Sequence, residues 1–417
     1  MRILVVTQYF WPENFRINDL CSELVNRGHK VTVLTGKPNY PDGKVFDGYL
    51  NKPADYNEYE GVTIIRAPML SRGRGSSLKL GLNYLSFALS ASTIGLLKLR
   101  DKQFDVIFVC QLSPITSALP AILYRAIRQT PIAMWVLDLW PDSLAAIGAV
   151  KSPRILALVG KLVSFIYSRC DLILGQSKAF YKGISVYCDQ PNKIGYFPSW
   201  AEQEFSHSSL QVVDELSGHE GVFKILFAGN VGKAQDFPAI IEAVEILRQK
   251  EIRVKVFVVG DGRALDSVMA EVEKRDLGSY IIFLGRHPLS SMPSFYSSAD
   301  ALLVSLKDDP AFFKTIPGKV QSYMASGKPI LTMLSGEGSR VVEEALCGYV
   351  ASSGDSDKLA DNIVRISQLP VSELLLLGDN ARHYSEQEFN RDQLITKLEG
   401  WLANLVDAHA CKNSSAG

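Results

Sequence analysis

The chain has 417 residues, 47% of them hydrophobic and 21% charged, which is ordinary globular usage and enough length for roughly two to three domains. Lysine plus arginine equals aspartate plus glutamate at 44 each, so no global field draws the chain to nucleic acid, which argues against a nucleic-acid binder. Cys21, Cys110, Cys170, Cys188, Cys347 and Cys411 form no CxxC pair and have no histidine at metal-ligand spacing, so they read as thiols of a reducing cytosol. Met1-Arg2 runs straight into Ile3-Leu4-Val5-Val6, too short for a signal core, and no stretch of 18 consecutive apolar residues follows. Neither a signal peptide nor a membrane span is expected.

Strand candidates in the first half are residues 3–6, 31–34, 63–65, 106–109, 132–137 and 172–174. Their apolar runs are continuous rather than alternating, as in sheets covered on both faces, and helical patterns separate them. Repeated βαβ units and a parallel sheet follow. The first strand opens into Thr7-Gln8-Tyr9-Phe10-Trp11-Pro12-Glu13-Asn14, before a helix that Gly28 closes. Ligands of doubly wound sheets bind at the carboxyl ends of the strands, which makes Glu13, Arg16 and Asn18 candidates for acceptor or phosphate contacts. His29 enters the next strand and reads as structural. Residues 78–99 are largely apolar and follow Arg66, Arg72, Arg74 and Lys79, a pattern that fits either a peripheral membrane contact or an ordinary core helix pair. At the end of the fifth strand, Asp138, Trp140 and Asp142 suit sugar binding through carboxylates and an indole, although Asp142 also fits a helix N-cap.

The pattern breaks near Pro198. Residues 198–221 carry Ser206, Ser208, Ser209, Ser217, Gly218 and Gly221 and read as a linker. A second βα series then begins, with strands expected at 224–228, 254–259, 281–284, 301–305, 330–333 and 349–351. Its first turn, Gly229-Asn230-Val231-Gly232-Lys233, precedes a helix starting near Asp236. Glycines let backbone approach a ligand, and helix N-termini favour phosphate. Gly260-Asp261-Gly262 and Gly285-Arg286 repeat such a junction on the same sheet edge. The densest segment is Lys314-Thr315-Ile316-Pro317-Gly318-Lys319-Val320-Gln321, where Lys319 and Gln321 fall in the first turn of a short helix closed by Gly327. A lysine at a helix N-terminus makes a diphosphate cradle. Asp308-Asp309 stands without neighbouring ligands and reads as solvated charge. The domains are therefore 1–197, binding acceptor, and 198–390, binding nucleotide sugar, with residues 391–417 supplying a helix that packs back on the first domain and a frayed tail.

Phe10-Trp11-Pro12-Glu13, residues 27–35, Asp171-Leu172-Ile173, Gly260-Asp261-Gly262 and residues 324–329 together resemble glycosyltransferase family 4. With residues 138–142 and Pro317-Gly318-Lys319, the chain is similar to the bacterial polysaccharide subgroup assigned as L-fucosamine transferases of O-antigen or capsule assembly, over about residues 1–405. The resemblance implies the α/β GT-B fold, two facing Rossmann-like doubly wound domains with a cleft between them. It implies retaining transfer from a nucleotide sugar, usually uridine-linked and without metal or other cofactor. The acceptor would be a saccharide, lipid-linked through polyprenyl diphosphate, and the location cytoplasmic at the inner membrane face. N-acetyl-L-fucosamine is the sugar that the subgroup suggests.

The resemblance also implies two cations on the diphosphate and two glutamates eight apart beside the donor. Here Phe313 and Gln321 stand at the glutamate places, and Asn230 and Gln235 at the cation places. Lys319 and Lys233 would then carry the positive charge, Gln321 would bond a ribose hydroxyl, and Asp138 would orient the acceptor or stabilise charge at the anomeric carbon. Two rivals stay open: a nucleotide-sugar epimerase on the same fold, and a non-catalytic sugar-nucleotide scaffold. A dehydrogenase fits less well, because no GxGxxG follows the first strand.

Overall fold

The computed structural model describes residues 1–73, 77–146, 148, 150–201 and 213–414. The chain divides into two compact units, Met1–Phe197 with Asp392–Gly417, and Pro198–Arg391. Arg74 and Ser206, Ser208 and Ser209 of the expected linker lie outside the described residues, as does the end of the tail.

In the first unit, β1 (Arg2–Val6), β2 (Lys30–Thr35), β3 (Glu58–Tyr59), β4 (Val62–Arg66), β5 (Val106–Gln111), β6 (Ile132–Val136), β7 (Leu172–Gly175) and β8 (Ile194–Tyr196) form one sheet in the order β3-β4-β2-β1-β5-β6-β7-β8. All neighbours are parallel except β3 and β4. The six expected strands are present. The sequence reading missed β3 and β8, which are too short to show a period. One sheet face packs Leu4, Val6, Ile107, Val109, Met134 and Val136 against helices Ser77–Ser90, Leu119–Arg128 and Pro153–Ser168.

The C-terminal helix, Arg391–Ser414, is longer than its apolar pattern suggests and buries Ile395, Leu398 and Leu402. Trp401 meets Phe197, whose carbonyl accepts from Trp135 Nε1 at 2.9 Å. Glu399 accepts from Arg27 at 2.9 Å and lies 2.7 Å from His29 Nε2, while His29 Nδ1 lies 3.0 Å from the N-terminal amine. His29 is therefore occupied in tying β2 to the chain's two ends.

In the second unit, β9 (Phe223–Ala228), β10 (Val254–Val259), β11 (Ile281–Gly285), β12 (Ala301–Ser305), β13 (Ile330–Met333) and β14 (Gly348–Ala351) form a wholly parallel sheet in the order β11-β10-β9-β12-β13-β14. Helices Phe237–Gln249 and Ser356–Ser367 cover one face, and Met292–Ser298, Gly318–Ser326 and Glu337–Glu344 the other. Part of the stretch read as linker, Asp214–Leu216, is a short helical turn whose Leu216 is buried in this second core. Strand order reverses between β1 and β5 in the first unit and between β9 and β12 in the second. Such switch points open crevices at the strands' carboxyl ends, where doubly wound folds bind ligands.

Candidate functional site

At the switch point of the second unit, three elements meet. Strand β9 ends at Ala228 and turns at Gly229, β10 ends at Val259 and turns at Gly260, and helix Gly318–Ser326 follows β12. The two turns are bonded together, Gly229 N–H to Val259 O at 2.8 Å and Val231 N–H to Asp261 O at 2.9 Å. Gly260 N–H continues the ladder to Gly285 O at 2.7 Å. Glycine is required here. Gly229 and Gly260 have φ of 131° and 143°, and a Cβ on Gly260 would lie 1.9 Å from Gly229 O. Gly260→Ala should therefore destabilise the unit by at least about 2 kcal/mol. Gly278→Ala, whose Cβ meets open space, should stay within about 0.5 kcal/mol of wild type. Urea melts of both variants check this pair.

The helix is held to β9 by Tyr323, whose hydroxyl accepts from Ala228 N–H at 2.9 Å. Pro317 precedes the helix and Gly327 closes it, as the sequence indicates. The first N–H groups of any helix lack partners within it. Of these, Val320 N–H is taken by Pro317 O at 2.9 Å.

Lys319 lies where no surface lysine would. Its stem passes beside Gly229, so that a Cβ there would sit 2.5 Å from Lys319 Cε. Its Nζ lies 3.6 Å from the centroid of the Phe227 ring. The amine is buried and finds no hydrogen-bond partner among the described residues. Burial alone pulls its pKa down to about 7, because a desolvated ammonium without an anion is unfavourable. The ring's negative face offsets only part of that cost.

Around it, Asn230 Nδ2 donates to Gln235 Oε1 at 3.1 Å, and Gly232 N–H donates to the same oxygen at 3.1 Å. These two side-chain amides thus fold the turn onto itself. Lys233 and Arg286 are exposed on the turns after β9 and β11, and Gly262 packs against Val231. Gln321 is buried and donates to Ser199 O at 2.8 Å, so one of its two amide N–H groups is already used. Phe313 backs the turn after β13, where a Cβ on Gly336 would meet Phe313 O at 2.0 Å. Asp309 accepts from Ala311 N–H at 2.9 Å, capping a short turn. The sequence reading missed Phe227 and Tyr323, which look like ordinary core residues.

In the first unit, Asp138 lies just beyond β6. Trp140 Nε1 donates to its Oδ2 at 3.0 Å. Burial pushes the Asp138 carboxyl up, against the pull of the Trp140 indole N–H and the Ser113 hydroxyl. Trp140 is nearly buried, with Tyr84 beside it at 6.2 Å between ring centroids. Asp142 opens the short helix Asp142–Ala146. Ser113 and Tyr84 gave no sequence signal.

Glu13 and Asn18 sit elsewhere on this edge, and their polar atoms are committed to backbone. Glu13 accepts from Phe10 N–H at 3.2 Å and from Asn39 and Tyr40 N–H at 2.7 Å each. Asn18 donates to Glu13 O at 2.7 Å and accepts from Trp11 N–H at 3.2 Å. Glu13 ties the loops after β1 and β2 together, and Asn18 braces the first of them. Arg16 begins helix Arg16–Asn26 and is half-buried. Among the described residues, no group of three or more His, Cys, Asp or Glu side chains is placed to hold a metal ion.

Residues 222–368 match the family model described as glycosyl transferases group 1. Over 349 residues the chain is 26% identical to an Escherichia coli protein named for colanic acid biosynthesis, the glycosyl transferase WcaI, covering 78% of this chain and 82% of that one. Among solved structures, Anabaena HepE in complex with UDP and glucose superposes with a TM-score of 0.66 at 14% identity, over 97% of this chain and 99% of that chain. WaaG, a glycosyltransferase involved in lipopolysaccharide biosynthesis, superposes with a TM-score of 0.64 at 15% identity, over 95% and 98% of the two chains. At such identities the superpositions establish the fold, which is GT-B.

Proposed function

We propose that this glycosyltransferase moves an N-acetylated deoxyamino sugar, such as N-acetyl-L-fucosamine, from a UDP-sugar to a lipid-linked polysaccharide precursor, with retention at the anomeric carbon. That the chain is a glycosyltransferase of the polysaccharide and lipopolysaccharide type follows from its group 1 domain and its named relatives. The observation that carries the donor reading is the buried, unpartnered Lys319 amine at a switch point between two glycine turns. A site with an unpaired cation, helix N–H groups and close backbone is built for an anion, and a nucleoside diphosphate supplies one.

In this reading Lys319 and the helix N-terminus take up the charge that develops on the leaving diphosphate, commonly the largest contribution to catalysis. The Gly229, Gly260 and Gly262 turns admit the donor, Lys233 and Arg286 attract it, and Gln321 Oε1 accepts from a ribose hydroxyl. Asn230 keeps its side-chain oxygen for the same purpose. Asp138, with Trp140 and Asp142, orients the acceptor sugar, and Arg16 meets its phosphates. The leaving phosphate oxygen takes the acceptor's proton. Glu13 and Asn18 act by holding the loops that frame the acceptor.

The enzyme uses no metal or cofactor and works at the cytoplasmic face of the membrane. Support for the nucleotide comes from HepE, whose structure holds UDP and glucose. The test is UDP release from a panel of UDP-sugars, with a membrane extract as acceptor source, in the presence and absence of EDTA. Activity with one acetamido sugar, unchanged by EDTA, is expected. Loss restored by magnesium or manganese contradicts the metal-free reaction. Sugar epimerised without an acceptor identifies an epimerase, and binding without turnover a scaffold.

A further inference from the structure

Two arginines stand at the carboxyl edge of the first sheet, one ending β4 and one in the loop after it, and they are used differently. Arg66 is buried and spent: its guanidinium donates to Gly36 O at 2.9 Å, to Tyr56 O at 3.3 Å and to Trp11 O. Arg72 is half-buried, and its guanidinium makes no hydrogen bond or ion pair among the described residues. It lies over the Tyr40 ring, 5.1 Å from the centroid. Tyr40 in turn meets Phe15 and Tyr9, at 5.2 Å and 5.7 Å between ring centroids.

Arg72 is nevertheless held in place. Its backbone N–H donates to Asn39 Oδ1 at 3.2 Å, and Asn39 Nδ2 donates to Lys37 O at 2.8 Å. Asn39 N–H is one of the three donors on the buried Glu13 carboxylate. The loops after β1, β2 and β4 are thus tied together beneath a guanidinium that none of them uses. Its charge reaches the candidate acceptor residues. Burial pushes the Tyr84 hydroxyl up, the Ser113 hydroxyl and Arg72 pull it back, and Asp138 pushes it further up. Burial also pushes the Tyr9 hydroxyl up, and Arg72 again pulls against it. Tyr84 therefore lies within reach of both Asp138 and Arg72, and it stands beside Trp140.

We propose that Arg72, stacked on Tyr40, binds an oxyanion of the acceptor saccharide, a carboxylate on a sugar ring or a phosphate ester, and so makes the enzyme select acidic acceptors. A guanidinium takes either group through two parallel N–H···O bonds, and the ring beneath keeps the fork oriented. Arg72 is then a specificity-determining residue, and Glu13 and Asn39 are positioning residues that act through it. The assignment rests on reading the Asp138 edge as the acceptor side.

Ligand-observed NMR titration with methyl glucoside, methyl glucuronide and glucose 1-phosphate tests it, with saturating UDP present to fill the donor site. Wild type should bind at least one of the two anionic sugars about tenfold or more tightly than the neutral one, and salt should reduce that preference. The anionic sugar preferred identifies the source of the oxyanion, a sugar carboxylate or a phosphate ester. Arg72→Gln should abolish the preference while keeping the wild-type melting temperature and UDP affinity. Arg72→Lys, which keeps the charge without the fork, should recover part of it. Equal binding of the three sugars, no binding of either anionic sugar, or a preference that survives Arg72→Gln overturns the proposal. So does a preference lost in Lys319→Met and kept in Arg72→Gln, which would place the anion in the donor site. None of these readouts requires turnover, so failure of the transfer reaction proposed above would leave the test of Arg72 intact.

Discussion

Lys319→Met should give a protein more stable than wild type and nearly unable to turn over donor. The folded-state pKa of Lys319 is about 7, below the ordinary lysine value of 10.5. Folding therefore disfavours its proton, and stability rises with pH from about 7 towards 10.5. Methionine fills the same channel beside Gly229 and over Phe227 without that burden, so the free protein should gain a few kcal/mol at neutral pH. Activity moves the other way. Loss of one group that stabilises transition-state charge costs roughly 10²–10³ in rate, about 2.7–4 kcal/mol. The melting temperature and UDP release of the variant decide this together. A less stable variant with normal turnover would make Lys319 a structural residue and send the search to Lys233 and Lys314.

Glu13→Ala should destabilise the first unit by about 3–5 kcal/mol, because it leaves the N–H groups of Phe10, Asn39 and Tyr40 buried and unpaired. Glu13→Gln separates charge from hydrogen bonding. Burial raises the Glu13 carboxyl to about 7, outweighing the three N–H donors and nearby Arg66. A carboxyl raised in the folded state contributes stability that is complete below its unfolded value of 4.5 and is lost as pH climbs through 7. Between those limits wild type should lose about 3 kcal/mol relative to Glu13→Gln. Urea melts of the three proteins at pH 5 and pH 8 measure both effects. An alanine variant within about 1 kcal/mol of wild type would return Glu13 from loop scaffolding to ligand binding.

The difference between these two residues shows what the sequence could reveal. The second unit was legible because its apolar strands are continuous and its glycines fall at strand ends. Lys319 could be placed in a first turn from Pro317-Gly318 and Gly327 alone. Its burial could not, because that depends on Phe227 and Gly229 lying beneath the helix across the switch point. The Asn230–Gln235 pairing was hidden for a related reason: two amides five residues apart do not announce that they bond each other. Glu13 was harder still. An acid in a loop at a strand's end reads alike whether it faces a ligand or ties loops, and its deciding partners, Asn39 and Tyr40, belong to the loop after β2. In residues 78–99, apolar residues lie all round the helix. Periodicity could not tell a core helix from a surface one, and the segment is in fact both, burying Phe87 and Leu99 and exposing Leu85 and Leu89.

The donor site is tested most directly by calorimetric titration of the wild-type protein and Lys319→Met with UDP, at pH 8 in buffers of different ionisation enthalpy. If the diphosphate seats on Lys319, binding restores an anion beside a largely deprotonated amine and raises its pKa. Wild type should then take up close to one proton more than the variant, and its affinity should fall as pH rises above 7. The variant should bind more weakly and without that uptake. UDP that binds both proteins with the same affinity and the same proton count would contradict the assignment of this switch point as the diphosphate site.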